Sequence, residues 1–284
     1  MVNAQDGWDL WLKLENKIGA IGVNLPLFYY RQHNTSLSRD NSRLLKARTN
    51  IIKKIGNQLK GDYKPTVLAV IPIKESYPNF KNIPYREIKG KSLLEIALNT
   101  SYKSEFITES IISSKSKKVL QYSEKLEAEK KVQRHYRFKR EKEPESRNIP
   151  IINILKSAAG EYFNNNNKYP DILVYLSLHS VYRTHNHIDK AINMLKISNS
   201  DCVVSVIEER DPTFKYTETG LKLINPGRFK KLTYDDERLY RFNGSIIVSW
   251  WDNIKQNNLF GDKTSFIEMS ANDSRQVEDE SFFS

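Results

Sequence analysis

Between Val67 and Ile73 the chain reads VLAVIPI, a β-branched apolar run without a polar break, and after a polar loop come Ser92 and, three residues on, Glu95. The run predicts a buried strand, and the Ser/Glu pair predicts a capping box that opens a helix. The alternation then repeats. Apolar runs from Ile111 to Ser113, Ile172 to Leu178, Cys202 to Ile207 and Gly244 to Ser249 predict strands. Leu93 to Thr100, Val119 to Lys131, Ile151 to Phe163 and Ile188 to Ile197 predict helices. In the last of these, Ile188, Ala191, Ile192 and Leu195 recur at i, i+3, i+4 and i+7, one apolar stripe. Strands alternating with helices imply a mostly parallel sheet wrapped by helices, with ligands at the carboxyl ends of the strands. Upstream, the basic stretch from Leu44 to Leu59 places Leu45, Ile51, Ile52 and Ile55 in only a loose helical pattern. Gly61-Asp62-Tyr63-Lys64-Pro65 is turn chemistry and divides the chain into residues 1–60 and 61–284.

The apolar share of 39% over 284 residues suits a globular core and argues against a disordered chain. The one cysteine, Cys202, cannot form an internal disulfide, and lacking an adjacent base it reads as a core residue. The longest apolar runs are strand-sized, so neither a secretion signal nor a membrane span is expected, and the expected location is the cytoplasm. A net charge of +11 raises the question of nucleic acid. Eleven Lys/Arg against four Glu between Lys115 and Lys142 account for seven of those charges. A run of that kind reads as a solvated helix face or a mobile insertion, and Tyr136 and Phe138 are too few for a base-stacking platform.

The loop after the first strand holds Lys74, Ser76, Lys81 and Asn82, followed by the basic turn Lys89-Gly90-Lys91. A strand end facing a helix start is where α/β folds bind phosphate, and lysines there neutralise transferring phosphates. The plain alternative is a polar loop that only connects two elements. Arg183 follows another strand and suits a carboxylate or phosphate; its alternative is a pair with a nearby acid. His185 and His187 form a His-x-His without a third spaced ligand, so capping or solvent exposure explains them better than metal. Asn243-Gly244 offers a donor and acceptor for sugar hydroxyls beside an approachable backbone, or else simply a turn that starts a strand.

The segment VLAVIPIKESYPNFKNIPYREIKGKSLLE resembles the opening motif of the sugar-activating cytidylyltransferases, the family of acylneuraminate cytidylyltransferase. There an Ile-Pro-x-Arg pair precedes a Gly/Ser-rich phosphate loop, Lys-Asn and Gly-Lys-Pro-Leu. LVYLSLHSVYR is similar to that family's Leu-Gln-Pro-Thr-Ser-Pro-Leu-Arg, SDCVVSV to its Ala-Asp-Ser-Val-Val-Ser-Val, and FNGSII to its Asn-Gly-Ala-Ile-Tyr. The four segments fall in the family's order. The resemblance implies a three-layer, Rossmann-like nucleotide-diphospho-sugar transferase fold that moves CMP from CTP to an acidic 2-keto sugar and releases pyrophosphate, in surface-glycan biosynthesis. It implies that Lys74, Lys81 and Arg183 act in catalysis, that Ser76, Asn82 and Ser180 hold the nucleotide, and that Arg183, Asn243 and Gly244 hold the sugar. It also implies Mg²⁺ on Glu278 and Asp279, where VEDESF stands for the family's Ile-Asp-x-x-x-Asp, and a homodimer paired through an extension between strands. Three departures point to an alternative, a nucleotide-sugar-binding domain that has lost turnover, the first being that the terminal acids are out of the family's register. The loop has Glu75, Tyr77, Pro78 and Phe80 where glycines belong, and Ser113-Ser114-Lys115 stands where the family reads Ser-Thr-Asp. Residues 1–60 resemble the last quarter of a family 2 glycosyltransferase, with Asp6 at the place of its base and His33 at the place of its late histidine.

Overall fold

The computed structural model describes residues 10, 13–14, 18, 41–58, 64–78, 80–140, 150–225 and 239–283. Asp6, His33 and the turn at residues 61–63 lie outside them. The described elements run α1 (Asn41–Gln58), β1 (Val67–Ile73), the short pair β2 (Glu87–Ile88) and β3 (Lys91–Ser92), α2 (Leu93–Tyr102), β4 (Glu109–Ser114), α3 (Lys117–Ala128), β5 (Tyr136–Lys139), α4 (Ile151–Asn166), β6 (Ile172–Leu176), α5 (His185–Ile197), β7 (Cys202–Glu208), β8 (Thr213–Thr217), β9 (Gly220–Asn225), β10 (Tyr240–Trp250), α6 (Trp251–Lys255) and β11 (Thr264–Glu268).

Seven strands make one sheet in the order β11-β7-β10-β6-β1-β4-β5. All run the same way except β10, which is antiparallel to both of its neighbours. The central strand β1 explains the unbroken apolar run. Val67, Ala69, Ile71 and Ile73 point into a core shared with α2, α3 and α5, while Leu68 and Val70 point into one shared with α4 and α6. A strand covered on both faces needs apolar residues at both parities, so no alternation is left to read.

Local chemistry sets the element ends. Ser92 Oγ accepts the Glu95 amide N–H at 3.2 Å and caps α2. Ser116 Oγ accepts the Val119 amide at 3.4 Å, so α3 begins at Lys117, two residues before the expected start. The basic run from Lys115 to Lys142 is not an insertion, because its described part supplies α3 and the sheet strand β5. The sequence reading also missed β11 and the hairpin β8–β9. Asn243-Gly244 does not start a strand: it lies inside β10, which begins at Tyr240 and shifts register between Phe242 and Ile247.

Helix α1 packs on α5 with Ala47, Ile51 and Ile52 buried. Arg48 Nη1 donates to Glu268 Oε2, at the end of β11, at 2.8 Å. Cys202 is a buried residue at the start of β7, and burial pushes its thiol up to about 12. No helix among the described residues is long and apolar enough to cross a membrane.

Candidate functional site

The carboxyl ends of β1, β4, β5, β6, β7 and β11, with the start of β10, bring the sequence-predicted residues to one end of the sheet. Lys74, Lys81 and Asn82 are exposed on the loop after β1. That loop is built differently from a glycine cradle. Tyr77 and Phe80 exchange backbone hydrogen bonds at 2.7 and 3.2 Å, and Phe80 is 2% exposed, packed against Phe283 and His179. The loop is therefore anchored by an aromatic side chain in the core. Asn82 takes a positive φ of 55°, and its amide N–H is accepted by Ser76 Oγ at 3.0 Å, so both residues shape the turn. Lys74 Nζ sits 4.3 Å from the centre of the Tyr77 ring.

Arg183 is buried, and its Nη1 donates to the carbonyls of Ser177 at 2.8 Å and Ser245 at 3.1 Å. Burial lowers its pKa to about 10, which still leaves it charged at neutral pH. Among the described residues no carboxylate pairs with it, so the nearby-acid alternative gives way to backbone carbonyls. Arg183 Nε and the hydroxyls of Ser180 and Ser245 are buried there without hydrogen-bond partners.

Asn243 is equally committed. Its Oδ1 accepts from Ser205 Oγ at 2.6 Å and from the Ser245 amide at 3.1 Å, and its Nδ2 donates to Ser274 Oγ at 2.9 Å. Gly244 has a φ of +71°, and a Cβ there would lie 2.8 Å from Gln276 Nε2.

The segment after β11 crosses these strand ends. Gln276 Nε2 donates to the Asn243 carbonyl. Val277 N–H donates to the His179 carbonyl at 2.9 Å, and His179 Nδ1 donates to the Val277 carbonyl at 2.7 Å. Glu280 pairs with Arg86. Glu278 is exposed, and Asp279 Oδ1 accepts from both the amide and the hydroxyl of Ser281, which holds its carboxyl below the usual range. No group of three His, Cys, Asp or Glu among the described residues is placed to hold a metal ion. Glu278 and Asp279 sit next to each other on this segment, two carboxylates of the number that Mg²⁺ takes beside phosphates.

His185 and His187 open α5, where Thr184 and His187 form a reciprocal capping box. Arg140 is the residue that the sequence reading overlooked. It follows the last residue of β5, and its Nη2 donates to the Ile73 carbonyl, the last of β1, at 3.2 Å. Nothing local marks it, because only the pairing of β1, β4 and β5 brings it there.

Of two open clefts among the described residues, neither is lined by Lys81, Asn82, Arg183 and Asn243 together. One, of about 410 Å³, lies between Arg86, Glu87, Glu280 and Phe283. The other, of about 470 Å³, is at the opposite end of the sheet beside Tyr169, Asp171, Asp201, Trp250 and Trp251.

The sequence matches no protein-family model and no curated protein. Solved structures do match. CMP:2-keto-3-deoxy-manno-octonic acid synthetase complexed with CTP superposes with a TM-score of 0.55 at 10% identity, over 77% of this chain and 95% of that one. The 4-diphosphocytidyl-2C-methyl-D-erythritol synthase of Anaerococcus prevotii gives 0.54 at 10% identity, over 77% and 93%. The chain shares the fold of these two synthetases. At this identity the likeness concerns the path of the backbone, and the expected Rossmann-like architecture with a mostly parallel sheet is the one observed.

Proposed function

We propose that the chain is a nucleotidyltransferase that moves CMP from CTP to an acidic 2-keto sugar in surface-glycan synthesis. The observation that supports it most is the fold shared with a synthetase that was solved with CTP, over 77% of this chain. In the reaction the anomeric hydroxyl of the sugar attacks the α-phosphate, its oxygen–phosphorus bond replaces the bond to the β-phosphate, and pyrophosphate leaves. Lys74 and Lys81, exposed at the end of β1, would hold the phosphates, with Ser76 and Asn82 fixing the turn that carries them. Arg183, tying the end of β6 to β10, and Asn243, tying β10 to β7, would support the sugar side from beneath. The unpartnered Ser180 hydroxyl beside them could take a ligand hydroxyl or a water. Glu278 and Asp279 would be the residues to hold Mg²⁺, which would neutralise charge on the phosphates.

A second reading, a nucleotide-sugar-binding module without turnover, is favoured by the loop itself, where Phe80 is core and Tyr77 bridges to it in place of glycines. Pyrophosphate release from CTP with sialic acid separates the two. Release by the wild type, cut at least about tenfold in Lys81→Ala, supports the enzyme. A CTP-dependent rise in melting temperature without release supports the module. Neither effect would refute both.

A further inference from the structure

His179 follows β6 on the turn that also carries Ser180 and Arg183, and two other segments fix its ring. Its Nδ1 lies 2.7 Å from the Val277 carbonyl, while the Val277 amide donates to the His179 carbonyl at 2.9 Å. The ring rests against Tyr77 and Phe80 of the β1 loop, with centroids 5.8 and 6.4 Å away. The His179 amide donates to Ser177 Oγ at 3.2 Å. A carbonyl can only accept, so Nδ1 carries the proton, and in the neutral ring Nε2 is left as an acceptor. Among the described residues nothing bonds Nε2, and the side chain is half-buried rather than sealed.

The position joins the two sides of the site. The β1 loop that the ring touches carries Lys74 and Lys81, assigned above to the phosphates, and its own turn carries Ser180 and Arg183, assigned to the sugar. The hydroxyl that attacks the α-phosphate belongs between those two groups, and it must lose a proton. The acids on the same segments have other duties. Glu75 accepts from the Tyr85 hydroxyl at 3.4 Å, Asp279 accepts from Ser281, Glu280 pairs with Arg86, and Glu278 is assigned with Asp279 to the cation. Tyr77 adds a phenol that burial keeps protonated. We infer that His179 is the general base of the transfer. Its Nε2 takes the proton of the anomeric hydroxyl as the oxygen–phosphorus bond forms and the bond to the β-phosphate breaks; after pyrophosphate leaves, the imidazolium returns the proton to solvent. The inference rests on the transferase reading above for the reaction, and on the fixed tautomer for the choice of residue.

Pyrophosphate release from CTP and Mg²⁺, with sialic acid or 2-keto-3-deoxy-manno-octonic acid, measured against pH, tests it. The wild-type kcat falls on the acid side, because a protonated imidazole cannot accept. His179→Gln lowers kcat about 100-fold or more, leaves KM for CTP within about twofold and loses the acid limb. Imidazole added to His179→Ala restores part of the rate. Nitrogen-15 spectra of the histidine-labelled wild type, with His179→Gln identifying the signal, show Nε2 unprotonated. An Nε2–H tautomer, an acid limb that His179→Gln keeps, or one that Glu278→Gln removes in its place, overturns the inference and leaves the transferase reading standing. A wild type that releases no pyrophosphate with either sugar acid overturns the inference and that reading together.

Discussion

Arg183 shows how a side chain at the expected position can also brace the fold. A bidentate guanidinium facing a ligand was the expectation, but the buried Nη1 is spent on two carbonyls that join β6 to β10. Arg183→Ala removes those donors and opens a void, so it should cost about 2–4 kcal/mol of stability, seen in chemical denaturation before any change in ligand affinity. A variant that keeps wild-type stability and loses only sugar binding would return Arg183 to the ligand. Gly244 is the second such position. With φ at +71° and Gln276 Nε2 2.8 Å from a Cβ, Gly244→Ala should destabilise by about 1–3 kcal/mol, read from the denaturant midpoint. Asn-Gly was legible as a special backbone position, whereas the partners that saturate Asn243 come from β7 and from the segment after β11 and have no local signature.

At the scale of elements, strands and helices with strong apolar patterns were legible, and the ends were set by caps. β1 matches its expected bounds, and α5 starts three residues early because Thr184 and His187 close a reciprocal cap. His187 is the histidine of the His-x-His pair that caps. Burial lowers its pKa from 6.5 to about 4, although Asp273 nearby acts to raise it, so at neutral pH the ring is uncharged. As pH falls below about 6.5 the unfolded chain takes up a proton that the folded chain takes up only near 4. Stability should therefore fall with acid across that window, and His187→Gln, which can keep the reciprocal cap, should flatten the fall in a series of thermal melts. An unchanged acid slope would show that His187 contributes nothing to it. Strand β5 was hidden for a physical reason: at the sheet edge its residues are only partly buried, so four residues of alternating aromatic and basic type look like the surface around them.

For the whole molecule, the hairpin β8–β9 offers a candidate surface for the homodimer that the family resemblance implies. Phe214 pairs with Leu223 and Tyr216 with Leu221, which puts four apolar side chains on one face, with Tyr216 80% and Leu221 70% exposed. Lys215 and Lys222 pair on the other face. An apolar hairpin face left in water favours association, and Tyr216→Lys with Leu221→Lys should convert a dimer to a monomer in light scattering after gel filtration. A wild type that is monomeric at micromolar concentration would remove this reading.

By itself the sequence determined the kind of fold: apolar runs of strand length alternating with amphipathic helices can bury both faces of a sheet only by wrapping it. It also singled out the β1 loop, because lysines after a buried strand are a local signal. Only the tertiary structure decided which residues share the strand ends. Lys74, Lys115 and Arg140 are 41 and 25 positions apart along the chain, and the register of three parallel strands makes them neighbours. The same long-range pairing turned Arg183 and Asn243 inward. Hydrogen-bond partners across a sheet are fixed by strand order, and strand order is a property of the packed molecule that no stretch of residues carries alone.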